Sequence, residues 1–241
     1  MVLAAVAGLA AVLFAVEQLR PGRRFERVPG WILRALTFNC VQAAAVWTAG
    51  GVWDNWLLEN RPWSADGLGV VQGALFGYVE ITFVYYWWHR WRHQSAFLWR
   101  WLHQFHHSPR RIEVLTSFYK HPLEIVINSL LSSATLYLAV GLGREAATLA
   151  VLMTGVAELF YHWNVRTPHW LGYVFQRPES HCVHHQEGSH TSNFADLPLW
   201  DMLFGTFDNP REWNARCGFE EQRELRVLDM LRGVDVNQRR S

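Results

Sequence analysis

Eight of the chain's 12 histidines fall into three tight clusters. His89 and His93 form H-x-x-x-H, His103, His106 and His107 form H-x-x-H-H, and His181, His184 and His185 repeat that second spacing. On a helix, positions i, i+3 and i+4 share one face, so each cluster can aim two or three imidazoles at one point. Imidazole binds Zn, Cu, Fe and Ni, and one ion accepts about six donors at most. Eight clustered imidazoles exceed that number, and a second ion is the economical reading. Catalytic zinc sites use about three protein ligands and one open position, which this set overshoots. Two redox-active irons that activate O2 beside an apolar chain fit it better.

Four histidines lie outside the clusters. His162 follows an apolar stretch at the depth expected for the clusters. His121 precedes Pro122 and has three readings: a ligand, a residue that orients a ligand, or the start of a helix with proline at its first position. The second is preferred. His169 and His190 have no cluster partners in sequence and read as loop residues.

Other chemistries lack their signatures. There is no H-E-x-x-H, G-x-S-x-G, P-loop or G-x-G-x-x-G pattern. The one Glu-x-x-His, Glu187 to His190, sits in a glycine-containing loop. Without a nicotinamide site, electrons must come from elsewhere. Three cysteines with no C-x-x-C exclude a disulfide framework and a thiolate zinc site. A formal charge of +1 argues against nucleic-acid binding.

The elements that must carry the histidines are apolar. Half of the 241 residues are hydrophobic, and 14 are Trp. Residues 2–16, 35–52, 68–88, 123–141 and 145–161 are long apolar stretches, the last two forming a hairpin turned at residues 141–144. They are too long for so short a chain to cover as buried helices of a soluble protein, and predict membrane spans. Residues 2–16 fall short of the usual ~20, so a full first span stays open. They show neither the basic leader nor the cleavage site of a signal peptide. Arg20, Arg23, Arg24, Arg27 and Arg34 lie between the first two stretches, and Arg90, Arg92, Arg100, Arg110, Arg111 and Lys120 follow the third. By the positive-inside tendency, five spans with the N-terminus outside put both basic regions, and every clustered histidine, in the cytoplasm. Tyr85, Tyr86, Trp87, Trp88 and Trp91 suit an interfacial belt or ordinary packing equally. Glu80, Glu124 and Glu158 fall in or at the mouths of apolar stretches, where carboxylates usually face a protein interior.

With these motifs the sequence resembles the fatty acid hydroxylase/sterol desaturase superfamily of membrane di-iron proteins. The likeness rests on the three histidine motifs and on Trp87-Trp88-His89-Arg90, His121-Pro122-Leu123-Glu124, His162-Trp163-Asn164-Val165 and Trp200 to Thr206. Phe194 and Ala195 stand where the family has Tyr-Gly after Asn193, and Lys120 where an arginine is frequent; both departures are expected near the substrate entrance. The resemblance implies a ninth ligand, His162, and a set of His121, Glu124, Asn164, Asn193 and Asp201 that orients the ligands. It also implies two Fe ions, O2 as co-substrate, and a separate electron donor such as a ferredoxin or cytochrome b5 with its reductase.

The expectation is an all-α, integral membrane bundle of four to five spans with a cytoplasmic helical cap holding a di-metal site. Residues 1–207 form one catalytic domain, its histidine region at about 78–207; residues 208–241 form a polar tail with a short helix, Leu225, Leu228 and Leu231 making its apolar side. The expected reaction is hydroxylation of a fatty acyl or sterol-like lipid. Desaturation by the same site, or a non-catalytic metal-binding or transport protein, are the alternatives; substrate and oligomeric state stay open.

Overall fold

The computed structural model describes residues 2–237. Among them no strand forms, and the structure is built from helices. Five long helices coincide with the five apolar stretches: α1 (Val2–Leu19), α2 (Trp31–Glu59), α3 (Val70–Gln94), α6 (Pro122–Ser133, prolonged by a π-helical segment, Ala134–Ala139) and α7 (Arg144–His162). Between and after them come the short helices α4 (Ala96–Leu98), α5 (Gln104–His107), α8 (Pro178–His184), α9 (Pro198–Phe204) and α10 (Val227–Leu231). Proline opens α6, α8 and α9, where a missing N–H costs nothing.

α3 lies against α7, and α2 against α6. The first pairing depends on small residues. A Cβ on Gly77 would lie 2.6 Å from Leu142 Cδ1, and one on Gly73 3.2 Å from the Ala146 methyl group. Buried Tyr78, Ile81, Leu136, Leu142, Ala146, Ala147 and Ala150 fill the seam. At one end of the bundle the 60–69 loop meets the α6–α7 turn, where Ala65 N–H donates to Gly141 O (2.8 Å) and Gly141 takes φ 76°. At the other end, Gly22 N–H donates to Asn164 O (2.8 Å), and all the clustered histidines gather there.

One stretch, Pro122–Ala139, is long and apolar enough by itself to cross a membrane, and Ala4–Leu19 is a shorter apolar helix. α2 and α3 add exposed apolar side chains, among them Leu33, Trp47, Val52, Val71 and Phe76. Of the two readings of the aromatic residues at 85–91, packing describes Tyr85, Tyr86 and Trp88. Tyr86 is buried, Tyr85 Oη donates to Asn128 O (2.8 Å), and Trp88 Nε1 donates to Asn128 Oδ1 (2.8 Å); only Trp91 is exposed.

Residues beyond 207 contain the expected helix, α10, and also wrap the cap. Met230 and Val236 are buried with Trp31, Phe105 and Tyr119. Gln104 clamps this segment, donating to Val234 O (2.8 Å) and accepting from Val236 N–H (3.2 Å). Leu225 and Leu228 are exposed, so of the three leucines only Leu231 packs, on a side centred on Met230. Gly233, at φ 70°, turns the chain against Trp101. Residues 238–241 lie outside the described residues.

Candidate metal centre

The nine histidines expected as ligands converge into two adjacent groups. His89, His93, His103, His107 and His184 form one; His106, His162, His181 and His185 form the other; within each, ring nitrogens lie within 4.8 Å of one another. The partition differs from the sequence expectation that each motif aims at one point. In both H-x-x-H-H motifs the i/i+4 pair (His103 with His107, His181 with His185) goes to one group and the middle histidine (His106, His184) crosses to the other. A helical geometry explains this: residues i and i+4 are 40° apart around the axis, whereas i+3 falls on the opposite flank of the first residue. A π-helical turn at Trp99–His103, with Gln104 N–H donating to Trp99 O, sets the phase of the first motif.

Backbone carbonyls fix the ring orientations. Nδ1 of His89 donates to Phe194 O (2.8 Å), that of His184 to Ser192 O (2.8 Å), that of His162 to Glu158 O (2.9 Å) and that of His106 to Tyr119 O (3.3 Å). His103 Nδ1 donates to Glu124 Oε1 (3.2 Å), and Arg92 ion-pairs with the same carboxylate. With Nδ1 protonated, Nε2 carries the lone pair in each of these rings.

The nitrogens left over fit metal ions. Nε2 of His89 and His184, Nδ1 of His107 and His181, and both nitrogens of His93 and His185 are buried without a hydrogen-bond partner among the described residues. Such a density of unpartnered polar atoms is abnormal for a folded interior. His162 and His181 oppose their Nε2 atoms at 3.0 Å, and His103 and His107 do so at 3.2 Å. Two imidazoles about 2.1 Å from one ion, at right angles, hold their nitrogens about 3.0 Å apart. Burial holds His103, His106, His107, His181 and His185 well below the ordinary histidine range, and pushes His184 down to about 3. The rings are therefore neutral at pH 7, the form that binds metal.

Of the residues expected to orient ligands, Glu124 bonds directly to one of the candidate histidines, His103. Asp201 acts one step back: its carboxylate accepts from Phe194 N–H (2.8 Å), Ala195 N–H (3.0 Å) and Thr206 Oγ1 (2.7 Å), fixing the segment whose carbonyl receives His89. Asn193, at φ 57°, clamps the same segment by donating to Ser180 O and Asp208 O. Asn164, two residues past His162, accepts from Arg23 N–H (2.9 Å) and so ties the α1–α2 loop to the end of α7. His121 caps α6, accepting from Leu123 N–H (3.1 Å), and its Nε2 donates to Leu231 O (3.3 Å); it serves the fold instead of a ligand.

Two participants escaped the sequence reading. Arg92 is buried and supports Glu124. His190, read as a loop residue, packs its ring 4.7 Å from His107 and 5.7 Å from His93 while donating from Nδ1 to His184 O (3.2 Å). Its one local pattern, Glu187-x-x-His190, gave no sign of this position, because the loop is brought back by tertiary contacts. His169 is indeed a loop residue, bonded to Asn209 O. Of the two departures from the family pattern, Phe194 lies on the centre itself, its ring 5.4–5.6 Å from those of His89, His93 and His184. Lys120 ion-pairs with Glu158, whose carbonyl receives His162.

An all-helical bundle whose one end holds two imidazole groups defines a histidine-rich candidate metalloprotein. The fatty acid hydroxylase family model matches residues 74–206, more than half of the chain, and the chain belongs to that family. It is 28% identical over 67% of its length to human alkylglycerol monooxygenase, covering 35% of that protein. It is 33% identical over 57% of its length to ornithine lipid hydroxylase OlsE of Rhizobium tropici, covering 42%. With the sphingolipid C4-hydroxylase sur2 of Schizosaccharomyces pombe it shares 26% identity over 56% of its length, covering 48%. The chain thus spans about a third to a half of these relatives. No solved structure matches.

Proposed function

We propose that this chain is a multi-pass membrane oxygenase that hydroxylates a C–H bond of a lipid, using O2, two iron ions and an external electron donor. The observation that carries the reading is the pair of adjacent imidazole groups, neutral, buried and rich in unpartnered nitrogens. The three relatives named above are an alkylglycerol, a sphingolipid and an ornithine lipid oxygenase or hydroxylase, which supports a lipid as the substrate class. The exposed apolar side chains of α2 and α3 support placement in a bilayer, and five spans with the N-terminus outside would set the histidine end on the cytoplasmic side.

Iron held by His89, His93, His103, His107 and His184 in one group, and by His106, His162, His181 and His185 in the other, would supply the redox chemistry that couples O2 and two electrons to C–H oxidation. The chain's own residues do the rest. Carbonyls of Phe194, Ser192, Glu158 and Tyr119 hold the rings, so metal binding requires little reorganisation. Glu124, anchored by Arg92, makes His103 a stronger donor. Phe194 and Trp99 pack their rings against the first group, at 5.4 Å from His93 and His107 respectively. A carrier of metal across the bilayer would need ionisable residues along the helices, whereas here the imidazoles gather at one end.

Metal analysis of detergent-purified protein from iron-supplemented cells tests the reading, followed by comparison of cellular lipids with and without the chain. About two irons per chain and a lipid gaining one oxygen are expected. Folded protein holding no metal of any kind would sink the proposal.

A further inference from the structure

A basic cleft of about 800 Å³ opens on the cap, lined by Arg24, Arg110, Arg216, Arg223 and Arg226. A smaller hollow bordered by Arg23, Arg24 and Arg166 adjoins it, with Arg24, Phe25 and Ala215 common to both. Three carboxylates face the larger cleft: Glu26, Glu187 and Glu220. Glu26 pairs with Arg110, Glu220 with Arg223, and Asp229 with Arg226. Arg24, Arg166 and Arg216 are exposed and have no ion-pair partner among the described residues, so the surface carries uncompensated positive charge.

What lies beneath gives that charge a use. Cys217 and Phe219 form the buried floor, and the chain there is bonded directly to the ligand-bearing segments. Gly218 N–H donates to the carbonyl of His185 (3.0 Å), Glu187 N–H to Arg216 O (2.8 Å), and Phe219 N–H to the carbonyl of Ser108 (3.3 Å), the residue after His107. The segment that floors the cleft is therefore hydrogen-bonded to the backbone next to members of both imidazole groups.

We propose that this cleft is the docking surface for an acidic one-electron carrier protein, an inference that rests on the oxygenase reading above. A carboxylate-rich partner complements the arginines, is steered to them over distance, and stops over the segment bonded to the histidine-bearing backbone. An acyl chain has no affinity for guanidinium walls. Two successive carriers, each oxidised by one electron, together with two protons and O2, balance conversion of C–H to C–OH with release of one water.

The test uses iron-loaded protein in nonionic detergent, free of anionic lipid. Its probes are an acidic [2Fe–2S] ferredoxin, an acidic cytochrome b5 and, as comparison, a small neutral chemical reductant. Arg24→Glu with Arg216→Glu is the variant; Arg144→Glu, at the start of α7 and the opposite end of the bundle, is the control. We expect the double variant to bind the carrier and accept its electrons about tenfold more weakly or slowly, with a flatter salt dependence. Reduction by the small reductant should stay within about twofold of wild type, and Arg144→Glu should match wild type with every donor. Wild-type rates in the double variant, equal loss with both kinds of donor, or no binding of either carrier by wild type would each overturn the proposal. Affinity for oxidised carrier needs no turnover. If wild type binds the carrier and the variant does not, yet no oxidised lipid forms, the oxygenase reading fails and the docking surface stands.

Discussion

His107 and His185 stack at 4.1 Å between ring centroids, 15° from parallel, although they belong to different imidazole groups. The two groups thus share a wall, and no apolar layer insulates one from the other.

The groups differ in donor number, and that difference is measurable. Removing His89 leaves four imidazoles in its group, whereas removing His181 leaves three in the other. His89→Ala should keep about two irons per chain with a weakened first site, and His181→Ala should fall to about one. Metal-to-protein ratios after dialysis against a graded chelator check this. Equal retention in the two variants would count against the five-plus-four partition.

Glu124 is buried between Arg92 and His103. Glu124→Gln keeps the volume but removes the charge that both partners use. Loss of such an orienting group typically lowers metal affinity or activity by about 10–100-fold. Glu124→Ala should also cost about 3–5 kcal/mol in stability, since it leaves a buried guanidinium unpaired. Iron affinity and thermal unfolding read the two effects separately.

Metal-free protein should weaken in acid. The folded histidines are held below their ordinary range, His184 at about 3, so between that value and about 6.5 the unfolded chain binds more protons. Stability contributed by the neutral rings is then full above about pH 6.5 and declines as pH falls through this window. Chemical unfolding of apo protein at several pH values checks it; stability that rises on acidification would contradict the burial seen here.

Gly77 marks the tightest approach of α3 to the π-helical end of α6 and the turn into α7. Gly77→Leu would drive a side chain into Leu142 and Leu136, at a cost of about 1–3 kcal/mol. Gly8→Leu, with nothing within 4 Å of its Cβ, is the matched control. Melting temperatures of the two variants should separate clearly.

Much of this architecture was legible in the residues. Apolar stretches located the five long helices, Pro122 and the turn at Gly141 bracketed α6 with its π-helical extension, and the repeated spacings named eight of the nine imidazoles that converge, the family resemblance adding His162. The division between groups was not legible in the spacing, because i+4 and i+3 lie on opposite flanks of the helix and only the packing of the neighbouring helices makes those flanks face different imidazole groups. His190 and Arg92 were missed for another reason: each is placed by contacts distant in sequence, which no local period encodes. The final segment misled in the same way, since Leu228 has the right spacing while Met230 has the neighbours.

The crossing of the middle histidine in each H-x-x-H-H motif constrains how the centre can change over generations. A single displacement of α5 or α8 strips donors from both sites at once. Loss of a whole H-x-x-H-H motif therefore depletes both groups together, whereas loss of the His89/His93 motif, or a single change such as His181→Ala, depletes one.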